Sequence, residues 1–155
     1  KILAKLEAPD ELSFFEFMTL LAFLHFSEQK VDIAIFETGL GGRLDATNLL
    51  QPLVTVMTPV HYDHMEHLGN TLEKIATEKC GIMKAQIPLV LAKQESEVEK
   101  IVASFAERLQ CKVIHADARI IQQPLGLLGE HQKQNAACAL GSKIIRAAWF
   151  CAASC

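Results

Sequence analysis

The sequence predicts an α/β domain of three layers, in which a mainly parallel sheet is flanked by helices. Short apolar runs of strand length alternate along the chain with longer helical patterns, which is typical of such domains. Half of the 155 residues are apolar, enough for a substantial core. The net charge of -3 provides no basic field, so no nucleic acid partner is expected.

The cysteines and the hydropathy pattern predict that the protein is located in the cytoplasm. The chain has five cysteines, an odd number without C-x-x-C spacing, which is typical of reduced thiols in a cytoplasmic protein. No segment reaches the roughly 18 consecutive apolar residues of a membrane span, and no signal peptide pattern is present. We therefore expect neither a membrane partner nor secretion.

The predicted elements begin with a capping box at Ser13 and Glu16, which opens an apolar helix running to about Ser27. The helical spacing of its Phe and Leu residues predicts that this helix belongs to the core. Val31–Phe36 is an apolar run typical of a strand buried on both faces. The other predicted elements are strands Leu53–Thr58, Pro88–Ala92 and Lys112–His115, and helices from an Asn70 cap to Gly81, from Glu95 to Leu109, and from the Gly129–Asn135 stretch to about Ala148.

A glycine turn follows the predicted strand that ends at Phe36. Glu37 stops the apolar run, and Gly39, Gly41 and Gly42 allow the backbone to turn where side chains would clash. A carboxylate at the carboxyl end of a buried strand lies where open α/β sheets bind ligands. Glu37 is thus a candidate ligand-binding group, with a strand-end carboxylate bonded to a helix N-terminus as the alternative. No dinucleotide motif or P-loop is complete here.

Two further patterns have a functional and a structural interpretation. His61, His64 and His67 recur every third residue and could form a zinc-like cluster, or could be solvated side chains of a turn. His64 follows Asp63, which could orient its ring for metal binding. Lys79, near the end of its helix, is by pattern alone a solvated lysine at a favourable dipole end.

Several stretches, in order along residues 11–142, resemble the folylpolyglutamate and dihydrofolate synthases, a family of the Mur ligase superfamily. The family's central domain is P-loop NTPase-like. The matching stretches are Ser-Phe-Phe-Glu-Phe at 13–17, Glu-Thr-Gly-Leu-Gly-Gly-Arg-Leu-Asp-Ala-Thr-Asn at 37–48, Asp-His at 63–64, Leu-Gly at 68–69, Thr-Leu-Glu-Lys-Ile-Ala-Thr-Glu-Lys-Cys-Gly-Ile-Met-Lys at 71–84, and Gly-Glu-His-Gln at 129–132 with Asn135.

The resemblance implies an ATP-dependent amide ligase of folate biosynthesis and one-carbon metabolism. In this family ATP phosphorylates a carboxylate of folate or dihydropteroate, and the amine of L-glutamate attacks the acyl phosphate. Developing charge on the phosphoryl oxygens calls for divalent cations and oriented donors. The cofactors implied are therefore ATP and Mg²⁺, and the parent protein is expected to be a cytoplasmic monomer.

The resemblance also implies roles for particular residues. Glu37, His64 and Lys79 match the family's magnesium ligands, and His64 and Lys79 are the catalytic candidates. Lys79 matches a lysine that reacts with carbon dioxide to give a carbamate, an anionic oxygen ligand for a second magnesium. The remaining implied residues are Asn135, His131 and Gln132 for the adenine, and Arg43, Asp45 and Asn48 for substrate binding or loop support.

The departures from the family predict an incomplete domain. We expect residues 1–148 to be part of a Mur ligase central, ATP-binding domain and residues 149–155 to be a tail outside the family pattern. The family's phosphate-binding loop and carboxyl-terminal domain have no counterpart in these residues. The isolated chain is therefore expected to lack turnover and, because loss of a strand would uncover an apolar sheet edge, to dissolve poorly.

Three alternatives remain at this stage. A Mur-type ligase of peptidoglycan precursors would share the metal and adenine residues, although the stretch 39–48 favours the folate branch. A truncated, non-catalytic remnant would need to retain neither site. A zinc protein built on the histidine turn would depend on the three histidines converging on one ion.

Overall fold

The computed structural model describes residues 12–129 and 131–152, with side chains placed as far as residue 143. The start of the predicted domain, residues 1–11, and the end of the predicted tail, residues 153–155, lie outside the described residues. The helices are α1 (Phe14–Gln29), α2 (Met65–Leu68), α3 (Leu72–Cys80), α4 (Ser96–Leu109) and α5 (His131–Ala152). The strands are β1 (Thr55–Met57), β2 (Leu89–Leu91) and β3 (Val113–His115), and short 3-10 turns lie at Ala46–Leu49 and Ala118–Ile120.

The three strands form a parallel sheet in the order β1-β2-β3. Val56 pairs with Val90, which pairs in turn with Ile114. Each strand lies inside the range predicted for it and is shorter, because ladder hydrogen bonds involve only its central residues. The predicted parallel sheet is confirmed.

Alternate side chains of β2 pack on opposite faces of the sheet, which gives the three layers. Leu89 and Leu91 belong to a core shared with Ile75 of α3 and Val98 of α4. Val90 faces the other way, into a smaller core that contains Ala137 of α5. This period of two is that of a strand buried on both faces, so the predicted layered α/β architecture is confirmed.

The prediction of a buried strand at Val31–Phe36 is wrong for the described structure. The segment is not part of the sheet, and Ile33 and Ile35 are 49% and 89% exposed. A strand requires a neighbour that accepts its ladder hydrogen bonds, and within residues 12–129 and 131–152 no strand pairs with this segment. β1 is correspondingly an edge of the described sheet, with Val56 36% exposed.

Helix α1 has the predicted capping box but is not a core helix. The backbone N–H of Ser13 donates to Glu16 Oε2 at 2.8 Å, and the N–H of Glu16 donates to Ser13 Oγ at 3.2 Å. Among the residues of α1 only Thr19 is buried, because apolar side chains surround the helix and no single face can bury them all. The ring of Phe23 lies 5.0 Å from that of Phe36, so α1 packs partly on the extended segment.

Two predicted helix ends differ from the structure. The N-cap of α3 is Thr71, whose side chain accepts a hydrogen bond from the N–H of Lys74 at 3.2 Å; Asn70 lies one residue too early for that bond. Helix α5 continues to Ala152, beyond the predicted end near Ala148, because no glycine or proline interrupts the sequence there.

The different burial of two isoleucines leads to a stability prediction. Ile75 is fully buried, whereas Ile35 is 89% exposed. Ile75→Ala removes packed methyl groups and leaves a cavity, so it should lower the free energy of unfolding by about 2–5 kcal/mol. The matched control Ile35→Ala should change it by less than about 0.5 kcal/mol. Urea unfolding followed by circular dichroism measures both; equal losses would contradict the exposure of residues 31–36.

Candidate active site

The glycine turn lies directly on the last turn of α3. A Cβ atom added at Gly42 would be 2.8 Å from the carbonyl oxygen of Glu78 and 3.0 Å from that of Lys79. On the other side of the contact, a Cβ at Gly81 would be 2.4 Å from the Cα of Arg43. The two backbones therefore approach more closely than any side chain at either glycine would allow.

Asp45 holds the turn in shape. Its Oδ2 accepts hydrogen bonds from the N–H groups of Gly39 and Leu40 at 2.9 and 3.0 Å, and its Oδ1 accepts from the N–H and hydroxyl of Thr47 at 2.9 and 2.6 Å. Partial burial acts to raise the pKa of Asp45, but these hydrogen bonds outweigh it and hold the pKa below its usual value. The carboxylate is thus fully occupied inside the turn.

Side chains from the turn also satisfy the end of α3. Arg43 donates from Nε to both carboxylate oxygens of Glu78 at 3.1 and 3.2 Å and from Nη2 to Oε1 at 3.0 Å, while its backbone N–H donates to the Glu78 carbonyl at 2.9 Å. Asn48 Nδ2 donates to the carbonyls of Arg43 and Gly81 at 3.0 and 3.1 Å. Lys84 Nζ donates to the carbonyl of Asn48 at 2.9 Å. These bonds join the turn to α3 and to the segment that follows it.

Glu37 begins the docked turn, and Lys79 lies in the helix turn on which it rests. Glu37 is exposed and two residues ahead of Gly39, and within the described residues its carboxylate has no hydrogen-bond partner. Lys79 is half-buried in the turn of α3 against which Gly42 packs. The docking therefore ties the segment that presents the Glu37 carboxylate to the helix end that carries Lys79.

His64 precedes α2, the short helix that contacts the same turn. Its backbone is left-handed, at φ 49° and ψ 40°, and its N–H donates to Oδ1 of Asp63 at 2.9 Å. The ring Nε2 lies 3.5 Å from Oδ2 of Asp63, longer than a hydrogen bond. Four residues on, Leu68 lies 2.8 Å from the Cβ position of Gly41. Thus α2 connects His64 to the glycine turn.

The turn before His64 is held at the carboxyl edge of the sheet by Gln94. Its Oε1 accepts from the N–H of Val60 and its Nε2 donates to the carbonyl of Thr58, both at 2.9 Å. His61 and His67 are exposed, and no group of three His, Cys, Asp or Glu that could hold a metal is present in the part of the chain that the structure describes. The histidine turn is therefore not arranged as a three-histidine zinc site.

The residues implied for the adenine lie in the first turns of α5. Asn135 Nδ2 donates to Oε1 of Gln132 at 3.2 Å, and Nε2 of Gln132 lies 3.1 Å from Nε2 of His131. Gln134 Nε2 donates to the carbonyl of Ala116, the residue after β3, at 3.0 Å. The start of α5 is thereby held at the carboxyl edge of the parallel sheet, the edge where such sheets bind ligands.

Proteins usually hold Mg²⁺ through one or two carboxylates, while water and phosphate oxygens complete the coordination. Glu37 would supply such a carboxylate, and the imidazole of His64 would add a nitrogen donor. The unpartnered carboxylate of Glu37 is available for such a bond. Lys79 would fit as a carbamate, since an ammonium repels a cation. Binding of Mg²⁺ would therefore depend on the Glu37 carboxylate and the His64 imidazole and, at Lys79, on conversion of the amine to a carbamate.

Sequence reasoning assigned no role to Glu78, Lys84 or Gln94, although each holds a segment next to a candidate residue. Each acts over more than 30 positions along the chain, on Arg43, Asn48 and Val60 respectively. A single sequence has no signal for such pairs. The position of Glu78 directly before Lys79 was the only available indication.

The fold and the edge of the sheet are those of an α/β domain that binds ligands at the carboxyl ends of its strands. The chain belongs to the Mur ligase middle domain family, whose model matches residues 3–115. Among its relatives is the dihydrofolate synthase/folylpolyglutamate synthase of Bacillus subtilis, 41% identical over 160 residues. That match covers 88% of this chain and 36% of the relative, so the chain spans little more than a third of that protein.

Solved structures agree with this assignment. The apo form of the folylpolyglutamate synthase of L. casei superposes with a TM-score of 0.82 at 27% identity, over 93% of this chain and 41% of the other. A complex of a folylpolyglutamate synthase with AMPPCP and folate superposes with a TM-score of 0.77 at 26% identity, over the same shares of the two chains. The predicted resemblance and fold class are confirmed.

The close contact at Gly42 leads to a prediction about the docked turn. Gly42→Ala places a methyl group against two backbone carbonyls, so it should lower the free energy of unfolding by about 1–3 kcal/mol. At Gly126 no atom lies within 4 Å of an added Cβ, so Gly126→Ala is the matched control and should be neutral or slightly stabilising. Urea titrations of the three proteins compare them. A neutral Gly42→Ala would contradict the docking.

The environment of Asp45 predicts a pH dependence. Because its pKa is lower in the folded chain, its contribution to stability is complete above the unfolded value, about 3.9, and disappears as pH falls through the folded pKa. Asp45→Asn should therefore cost about 1–3 kcal/mol at pH 7 and progressively less below about pH 4. Asp32→Asn, on an exposed residue, is the control. A loss at pH 7 that persisted unchanged at pH 2.5 would refute this assignment.

Proposed function

We propose that this chain provides the magnesium and adenine sites of an ATP-dependent amide ligase that adds L-glutamate to folate or dihydropteroate. The observation that carries the proposal is the docking of the Glu37–Asn48 turn on the end of α3, the helix end that carries Lys79. The relatives named as folate synthases favour this substrate class over a peptidoglycan precursor. Synthesis of dihydrofolate, extension of a glutamate tail, or both would use the same chemistry.

In the proposed site Glu37 and His64 would hold one Mg²⁺, and Lys79, as a carbamate, would be a ligand of a second Mg²⁺. When bound, the ion supplies positive charge opposite the phosphoryl oxygens of ATP. The carbamate forms when the neutral amine of Lys79 attacks carbon dioxide and releases one proton. An ammonium that would repel the ion thereby becomes an anionic oxygen donor.

The proposed reaction has two steps. A carboxylate oxygen of the folate substrate attacks the γ-phosphorus of ATP, so that an acyl phosphate forms and ADP leaves. The amine of glutamate then attacks the acyl carbon, phosphate leaves and the nitrogen loses a proton to solvent. The contribution of this chain is to position and neutralise charge, which is the main requirement of phosphoryl transfer.

Asn135, His131 and Gln132 are proposed to contact the adenine. Their amide and imidazole groups lie on the first turns of α5, and the Asn135–Gln132–His131 hydrogen bonds orient them as one set. Amide groups offer both donors and acceptors, which suits the edge of a purine. Arg43, Asp45 and Asn48 are proposed as loop support.

The setting proposed for the parent protein is a cytoplasmic monomer, with residues 1–148 forming part of the ATP-binding domain and residues 149–155 a tail outside it. Across the described ranges, none of the helices combines the length and hydropathy needed to cross a bilayer. The proposed substrates, ATP and reduced folates, fit that compartment.

A hybrid enzyme tests the proposal. Residues 12–142 would replace the matching segment of the Bacillus subtilis relative, and ATP-dependent addition of radiolabelled glutamate to folate substrates would be measured. The hybrid should add glutamate, and Glu37→Gln should lower kcat by about 100-fold or more because a charge opposing the phosphoryl oxygens is misplaced. Glu28→Gln, at the exposed end of α1, is the matched control and should be unchanged.

Three results would contradict the proposal. A hybrid that folds and binds AMPPCP but adds no glutamate would favour the non-catalytic remnant. Full activity of the Glu37→Gln hybrid would remove Glu37 from the magnesium site. Transfer of an amino acid to a nucleotide-linked peptidoglycan precursor would favour the other branch of the superfamily.

A further inference from the structure

We propose that Glu78 is a positioning residue. It fixes Arg43, and through Arg43 the glycine turn, so that the position of Glu37 relative to Lys79 does not change. This inference rests on the proposed function for its consequence at the metal site, but its geometric part stands on the described contacts alone. It also commits Arg43 to loop support and removes it from the candidates for substrate binding.

The contact between Arg43 and Glu78 has the geometry of a specific clamp. The guanidinium meets the carboxylate through three hydrogen bonds of 3.0–3.2 Å, and the backbone N–H of Arg43 donates to the Glu78 carbonyl at 2.9 Å. Side chain and main chain of one residue thus bind side chain and main chain of the other. Such two-point contact fixes orientation as well as distance.

The clamp also completes the carboxyl end of α3. The last carbonyls of a helix lack their usual partners within it. The carbonyl of Glu78 accepts from the N–H of Arg43 as well as from that of Gly81, and the carbonyl of Gly81, the residue after α3, accepts from the side chain of Asn48. The positive guanidinium lies beside the negative end of the helix dipole. The turn is therefore the cap of the helix turn that carries Lys79, and movement of either would move the other.

The side chains of Arg43 and Glu78 are 55% and 26% exposed, so the pair itself contributes little to global stability. Breaking an exposed pair typically changes the unfolding equilibrium constant by about 2- to 5-fold. The effect of losing Glu78 should instead be local. The loop should sample undocked positions while the sheet and both cores remain intact.

Hydrogen exchange on this 155-residue chain tests the clamp. In Glu78→Gln the amide of Arg43, bonded to the Glu78 carbonyl, should exchange at least about 10-fold faster, while that of Leu89 in the sheet should accelerate by no more than the change of about 2- to 5-fold in the unfolding equilibrium constant. Glu73→Gln, the same change on an exposed residue of the same helix, should alter neither amide. Equal acceleration at Arg43 and Leu89 would indicate a merely structural role and overturn the proposal.

Swapping the charges of Arg43 and Glu78, and measuring the metal affinity, complete the test. Arg43→Glu should accelerate loop exchange, and the double variant Arg43→Glu/Glu78→Arg should restore protection at least partly; no restoration would overturn the clamp. Mn²⁺ affinity, measured by electron paramagnetic resonance, should fall about 3- to 10-fold in Glu78→Gln and not in Glu73→Gln. If the exchange results hold but the wild-type chain binds no Mn²⁺, the clamp stands, its role in positioning a metal site is overturned, and the proposed function fails separately.

Discussion

The close approach of two backbones, at Gly42 and Gly81, is the constraint on which the candidate site depends. Neither position has room for a Cβ, so the turn can rest on α3 with its carbonyls and N–H groups in direct contact. Asp45 then shapes the turn from inside, and Arg43 and Asn48 bind it to the helix end. The extended segment, the turn and α3 thereby become one unit.

The sheet contributes the second half of the site. Its parallel strands end at one edge, where Gln94 holds the turn leading to His64 and Gln134 holds the start of α5. Polar side chains, not strand pairing, make both connections. The core beneath is formed by aliphatic side chains that alternate along β2, so the edge is supported by packing that the functional residues do not enter.

Much of this could be predicted from the sequence, and the failures have physical reasons. Local pattern predicts β2 from its short apolar run and α4 from apolar residues at helical spacing, because the burial of each element is set along its own sequence. Val31–Phe36 has the composition of a buried strand, but strand formation depends on a neighbour that the described residues do not provide. At the site, glycine spacing identified the turn, whereas Glu78 and Gln94 act over more than 30 positions and have no local signature.

The central proposal is that Glu37 and His64 bind one divalent cation and that Lys79, as a carbamate, binds a second one. The most direct measurement is paramagnetic broadening of ¹H–¹⁵N signals as Mn²⁺ is added in bicarbonate buffer, which supplies the carbon dioxide for Lys79. The account predicts that the amides of Glu37 and His64 broaden together at the first equivalent, and that the amide of Lys79 broadens at the second, all before those of β3. Broadening confined to the histidine turn, with Glu37 and Lys79 unaffected, would contradict it.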